Sequence, residues 1–114
     1  MLPVMPLRYV RVASLKDIES GQAKQVKLEG LDLLVANWEG RYYVVQNACP
    51  HWGVELHWGW VRDRAIMCGW HGYRYDLETG EQQGWRDTND LAVYPVRIKW
   101  KGVYVGLDDG LPPA

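Results

Sequence analysis

The chain has 114 residues, which is room for one compact domain with a modest core and too little for that core plus a separate catalytic domain. Lys and Arg total 13 against 14 Asp and Glu, a net charge of -1 that gives no sign of the broad basic surface nucleic-acid binding requires, so no nucleic-acid partner is expected. No apolar stretch approaches the roughly 20 residues of a membrane span, and Met1 to Pro6 has neither a basic leader nor a long apolar segment, so a soluble, unexported, cytoplasmic protein is expected.

In chain order, residues 7–13 (LRYVRVA) mix apolar, basic and β-branched side chains, as a half-buried strand does. Ser14 to Ser20 holds the one possible helical turn, with Ser14 as its cap and Leu15 and Ile18 at helical spacing. Residues 22–29 and 31–37 read as two strands joined near Gly30, and Trp38-Glu39-Gly40-Arg41 is a turn into a third strand at 42–46, completing an antiparallel meander. Residues 60–62 and 65–67 are the arms of a hairpin turning at Asp63. Residues 91–100 (LAVYPVRIKW) alternate through Val96, Ile98 and Trp100, turn at Lys101-Gly102 and continue as a strand at 103–107. Pro95 has no N–H for a ladder, which places its strand at an edge or at a bulge, and the tail from Asp108 onward is expected to fray.

Between these flanks, residues 47–83 hold both cysteines and all three histidines. Secreted domains of this size usually show several paired cysteines; with only Cys49 and Cys68, both are better explained as ligands. Two motifs carry the chemistry, Cys49-Pro50-His51 and Cys68-Gly69-Trp70-His71, with 16 residues between His51 and Cys68. Each pairs a thiolate with an imidazole, and the intervening hairpin returns the second motif beside the first. Four ligands then converge from two adjacent loops on one small inorganic centre. A lone buried Cys would be a small apolar residue, but two matched Cys/His pairs are poorly explained by accident. A Cys2His2 zinc site is the rival. Against it stands the spacing, since structural zinc sites usually place roughly two or more residues between paired cysteines and three to five between paired histidines.

The sequence resembles the Rieske family, whose pattern is Cys-x-His, a hairpin of about this length, then Cys-x-x-His-Gly. His71-Gly72-Tyr73-Arg74-Tyr75-Asp76 followed by Glu78-Thr79-Gly80 is similar to that family's second loop and exit hairpin. Tyr94 to Ile98 and Val103 to Val105 are similar to its closing strands. Gly69 stands where the family often has Pro, and Gly also permits a tight turn there. Rieske proteins of quinol-oxidising complexes carry a second Cys in each loop, joined as a disulfide, which this chain cannot form. The resemblance is therefore to soluble ferredoxins of oxygenase systems and to the Rieske domain of the oxygenases.

That resemblance implies an all-β fold of antiparallel sheets in a single domain. A small sandwich or barrel-like base is expected from residues 7–46 and 85–107, with a cluster-binding subdomain of two loops within residues 47–84. It implies one [2Fe-2S] cluster, with Cys49 and Cys68 on one iron and His51 and His71 on the other, nearer the surface. Exchanging two thiolates for two neutral imidazoles removes negative charge and raises the potential. Tyr75 matches the family's donor to a ligand sulfur. Tyr73 stands where high-potential members have a Ser, so a potential in the lower half of the roughly -150 to +300 mV range is expected. Pro50, Trp52, Gly53, Trp70 and Gly72 are expected around the cluster, Trp58, Trp60 and Trp85 in core or hairpin packing, and His57 as an ordinary loop histidine.

A mononuclear iron site for oxygen activation needs two His and a carboxylate, and once a cluster takes His51 and His71 only His57 remains. No Gly-rich dinucleotide fingerprint is present either. The expected function is an electron carrier, not a complete enzyme, passing single electrons from a flavin-dependent reductase to a terminal oxygenase or other redox enzyme, with no nucleic-acid or membrane partner. A small subunit of a nitrite-reductase-like complex and a zinc-binding interaction module are the alternatives.

Overall fold

The computed structural model describes residues 7–50, 53–69, 73–83 and 90–108. Within them lie eleven strands and two short 3-10 turns: β1 (Leu7–Ser14), β2 (Ala23–Leu28), β3 (Leu31–Trp38), β4 (Arg41–Gln46), β5 (Trp60–Arg62), β6 (Ala65–Met67), β7 (Arg74–Asp76), β8 (Gln82–Gln83), β9 (Val93–Tyr94), β10 (Val96–Lys99) and β11 (Gly102–Asp108). They form three antiparallel sheets ordered β1-β11-β10, β2-β3-β4-β9 and β5-β6-β7-β8. The all-β expectation holds. No helix among the described residues is long and apolar enough to cross a membrane.

Strand periodicity explains why the β2-β3-β4-β9 sheet lies in the middle. On β3, Leu33 and Val35 point to one face and Leu34 and Ala36 to the other; on β4, Val44 opposes Tyr43 and Val45 in the same way. Leu33, Val35 and Val44 pack with Val103, Val105 and Leu107 of the β1-β11-β10 sheet. Leu34, Ala36, Tyr43 and Val45 pack with Val61, Ile66 and Tyr75 of the β5–β8 sheet, and both cysteines belong to this second core. A strand buried on both faces reads as a continuous apolar run, as LLVA on β3 and YVV on β4 do.

Four two-residue hairpin turns set the registers, at Glu29-Gly30, Glu39-Gly40, Asp63-Arg64 and Trp100-Lys101. Both residues of each have positive φ, as turns matching strand twist require. The last was expected one residue later, at Lys101-Gly102; Gly102 instead opens β11, opposite Lys99. Residues 91–100 are also not one strand. Val93–Tyr94 pairs with β4 and Val96–Lys99 with β11, so the chain changes sheets at Pro95, the residue that has no N–H to give to either ladder. The expected helical turn is a single 3-10 turn at Leu15–Asp17, where the Ser14 backbone N–H donates to the Asp17 carboxylate at 2.9 Å. The expected frayed tail, residues 109–114, lies outside the described residues apart from Asp108, which ends β11.

Candidate metal centre

Cys49 lies just beyond the end of β4 and Cys68 just beyond β6, so the two sulfurs are delivered by the exits of two strands in facing sheets. Both side chains are buried, at 1% and 0% exposure, and they are not joined as a disulfide. The first loop folds back on its cysteine: the Cys49 N–H donates to the Val54 carbonyl and the Gly53 N–H donates to the Cys49 carbonyl, both at 2.7 Å. Gly53 takes φ of 73°, a conformation glycine adopts without cost, so its expected place in the loop has a backbone reason. Pro50 is half-buried. At the second loop the Cys68 N–H donates to the Tyr73 carbonyl at 2.7 Å, drawing the two ends of residues 68–73 together. His51, Trp52, Trp70, His71, Gly72 and Trp85 lie outside the described residues.

Tyr75 joins the two loops. It sits on β7 opposite Ile66, wholly buried, and its hydroxyl is 3.2 Å from the Cys49 sulfur. A buried phenol needs a hydrogen-bond partner. A metal-bound thiolate has no proton, so toward one the phenol is the donor, and the bond withdraws charge from the sulfur. The structure thus provides two buried sulfurs in one core, each held by a loop closed through backbone hydrogen bonds, with a dedicated donor on one of them. That arrangement suits the thiolate side of a [2Fe-2S] cluster. Tyr73, one residue before β7, is buried in the same core.

Three features were not legible beforehand. Asn47, two residues before Cys49 and 1% exposed, bolts the first loop to the middle sheet. Its backbone N–H donates to the Asp32 carbonyl at 2.9 Å, its Oδ1 accepts the His57 backbone N–H at 2.9 Å, and its Nδ2 donates to Asp32 Oδ1 at 3.2 Å. Those partners determine the amide orientation, because the reverse would set the amide oxygen against a carboxylate and its NH2 against an N–H. Nδ2 therefore also donates to His57 Nδ1, 2.9 Å away, which makes that ring nitrogen an acceptor and places the proton of the neutral ring on Nε2. Glu55 Oε2 lies 3.2 Å from the same Nδ1. His57 is thus no ordinary loop histidine. An asparagine at a strand end is too common for its sequence position to have shown this.

Asp76 organises the other side. Its Oδ1 accepts the Glu78 and Thr79 N–H groups at 2.8 and 3.1 Å, and its Oδ2 accepts Arg64 Nη2 at 3.0 Å. Burial pushes this carboxyl's pKa up. The Arg64 hydrogen bond, the two backbone donors and the Arg64 charge together outweigh burial and hold it below the usual carboxylate value. The β5-β6 turn is thereby tied to the β7-β8 turn.

Trp58 and Trp60 correct the packing expectation, at 72% and 51% exposure. Between them, Gly59 runs so close to β6 that a Cβ there would lie 1.6 Å from the Met67 carbonyl oxygen. With the backbone against its neighbour and Val61 turned inward, strand alternation sends Trp60 and Arg62 out to solvent.

Residues 8–95 match the Rieske [2Fe-2S] domain family. The chain belongs to that family. A Rieske-type [2Fe-2S] cluster is accordingly its cofactor, which sets the zinc reading aside. The chain is 30% identical over 103 residues to the ferredoxin component of the naphthalene 1,2-dioxygenase system of Pseudomonas putida, covering 90% of this chain and 99% of that one. It is 30% identical over 94 residues to human apoptosis-inducing factor 3, covering 82% of this chain but 16% of that protein, so it spans only a small part of that relative. Among solved structures, the ferredoxin in a complex of reduced oxygenase and oxidized ferredoxin in carbazole 1,9a-dioxygenase superposes with a TM-score of 0.81 at 26% identity, covering 91% of this chain and 97% of that one.

Proposed function

We propose that this protein is a Rieske ferredoxin, an electron carrier that takes single electrons from a flavin-dependent reductase and passes them to a terminal oxygenase. Cys49 and Cys68 hold the inner iron and His51 and His71 the outer one, so electrons enter and leave on the imidazole side. The observation that carries this reading is the buried Tyr75 hydroxyl on the Cys49 sulfur, a donor that serves a charged thiolate. The near full-length likeness to a dioxygenase ferredoxin component supports a carrier, and the likeness to a ferredoxin solved with its oxygenase supports the acceptor. The absence of paired cysteines supports the cytoplasm as its compartment.

The test is direct. Purified protein should contain two irons and two acid-labile sulfides per chain, absorb in the visible, and be reduced by a dioxygenase flavin reductase supplied with a nicotinamide donor. It should then be reoxidised by a terminal oxygenase. Voltammetry should place the potential in the lower half of the roughly -150 to +300 mV Rieske range. Colourless, zinc-bearing protein would refute the cluster, and permanent copurification with a reductase complex would assign it instead as a fixed subunit.

A further inference from the structure

The charge of -1 hides a segregation. β1, β10, the turn at Trp100-Lys101 and β11 carry Arg8, Arg11, Arg97, Lys99 and Lys101 against Asp108 alone. Of 13 cations and 14 carboxylates, 8 and 13 are left for the rest of the chain, so one sheet stands at +4 and the remainder at -5. Arg8 pairs with Glu29 at 2.6 Å. Arg11, Arg97 and Lys99 lie instead on neutral groups: the Ser14 hydroxyl at 2.6 Å, the Tyr9 ring at 4.4 Å and the Trp100 ring at 5.6 Å.

Register places these groups on one face. Arg11 and Arg97 both stand opposite Tyr104, and Tyr9 stands opposite Gly106, all on the side away from Val103 and Val105. The glycines form a floor: a Cβ on Gly106 would lie 3.1 Å from the Tyr9 ring, and one on Gly102 would lie 3.0 Å from the Arg11 guanidinium. Ring and guanidinium therefore lie close over the glycine backbone. Beside them Trp100 is 79% exposed and occupies a left-handed turn position at φ of 48°, next to Lys101 at 57°.

We propose that the outer face of the β1-β11-β10 sheet, centred on Tyr9, Arg11, Arg97, Lys99, Trp100 and Tyr104, is a docking surface for an acidic surface of a protein partner. It lies on the far side of the middle sheet from the cysteines, about 15 Å away at about 10 Å per sheet layer. Contact here anchors or orients the protein and is not an electron route. A redox partner as owner of the acidic surface rests on the carrier reading; the docking chemistry does not. Nucleic acid is the poorer match, since the -5 of the remainder repels a phosphate backbone. A second copy is also poorer, because that negative charge is spread along the chain: residues 47–83 contribute 3 cations against 5 carboxylates.

The experiment uses the holoprotein, 15N-labelled, titrated with a hexaglutamate peptide, with an oligodeoxythymidylate of equal charge, and with nothing while its sedimentation is followed over concentration. The peptide should shift amides of β1, β10 and β11 and bind at least about tenfold more weakly at high than at low salt. The exposed double variant R97E/K99E should abolish the shifts while keeping the visible spectrum, the potential and the melting temperature. Equal peptide binding by wild type and R97E/K99E, tighter binding of the oligonucleotide, or self-association would each overturn the proposal. A normal potential in R97E/K99E leaves the carrier reading intact whichever result appears.

Discussion

The two faces of the β2-β3-β4-β9 sheet are built on different principles. Toward the β1-β11-β10 sheet, Leu33, Val35 and Val44 meet Val103 and Val105 in an aliphatic core closed by long, well-paired strands. Toward the β5–β8 sheet, strands of two or three residues enclose cysteines and tyrosines, and single side chains, Asn47 and Asp76, take over work that ladders do elsewhere. Burial of apolar area and long backbone ladders stabilise the first face. The second depends on a few directional bonds, so it should fail through single atoms while the first fails through lost volume.

Removing a sulfur should separate the two faces most sharply. In Cys49→Ser, visible absorbance and iron should be lost while far-ultraviolet circular dichroism keeps its β signature; retained cluster would break the contrast. Leu33→Ala, on the aliphatic face, should cost about 2–5 kcal/mol in chemical denaturation and leave the spectrum of the folded fraction unchanged. Asn47→Ala should cost about 1–3 kcal/mol, the penalty for stranding buried donors and acceptors. It should also speed iron release to a chelator, which Leu33→Ala should not do at matched stability.

Acid provides a milder probe. Because the Asp76 pKa is depressed in the folded state, its contribution is complete above the ordinary carboxylate value, near 3.8, and is lost as pH falls below that through the folded value. Asp76→Asn should therefore lower stability at neutral pH by about 1 kcal/mol, the half-exposed Arg64 partner limiting the effect, and should flatten the acid limb of a stability profile. The smallest effect is expected for Tyr75→Phe. With one hydrogen bond to a ligand sulfur gone, the oxidised state gains relative to the reduced one and the potential falls. A difference of about 1 kcal/mol corresponds to roughly 40 mV for one electron. An unchanged potential would mean that the phenol does not act on the cluster.

How far each face could be read in advance follows from the same contrast. The apolar runs of β3 and β4, the hairpin at Asp63 and the alternation of β11 are local patterns, and the structure follows them closely. The paired Cys/His motifs are equally local, and they carried the family and its cofactor. Misreadings arose where a distant neighbour decided. Residues 91–100 look like one strand until two different sheets compete for them across Pro95. Trp58 and Trp60 look like core until the backbone of Gly59 lies against Met67. His57 looks idle until Asn47, ten residues earlier, reaches it.

The sequence by itself determined the all-β class, the spacing within the two Cys/His motifs and the places of most hairpin turns, because each depends on residues only a few positions apart along the chain. Only the tertiary structure decided that the middle sheet is buried on both sides, that Tyr75 reaches Cys49 across two loops, and that Arg11 joins Arg97 and Lys99 on one face. Those outcomes depend on which sheet packs against which. That is set by the summed burial of many side chains and is carried by no short segment.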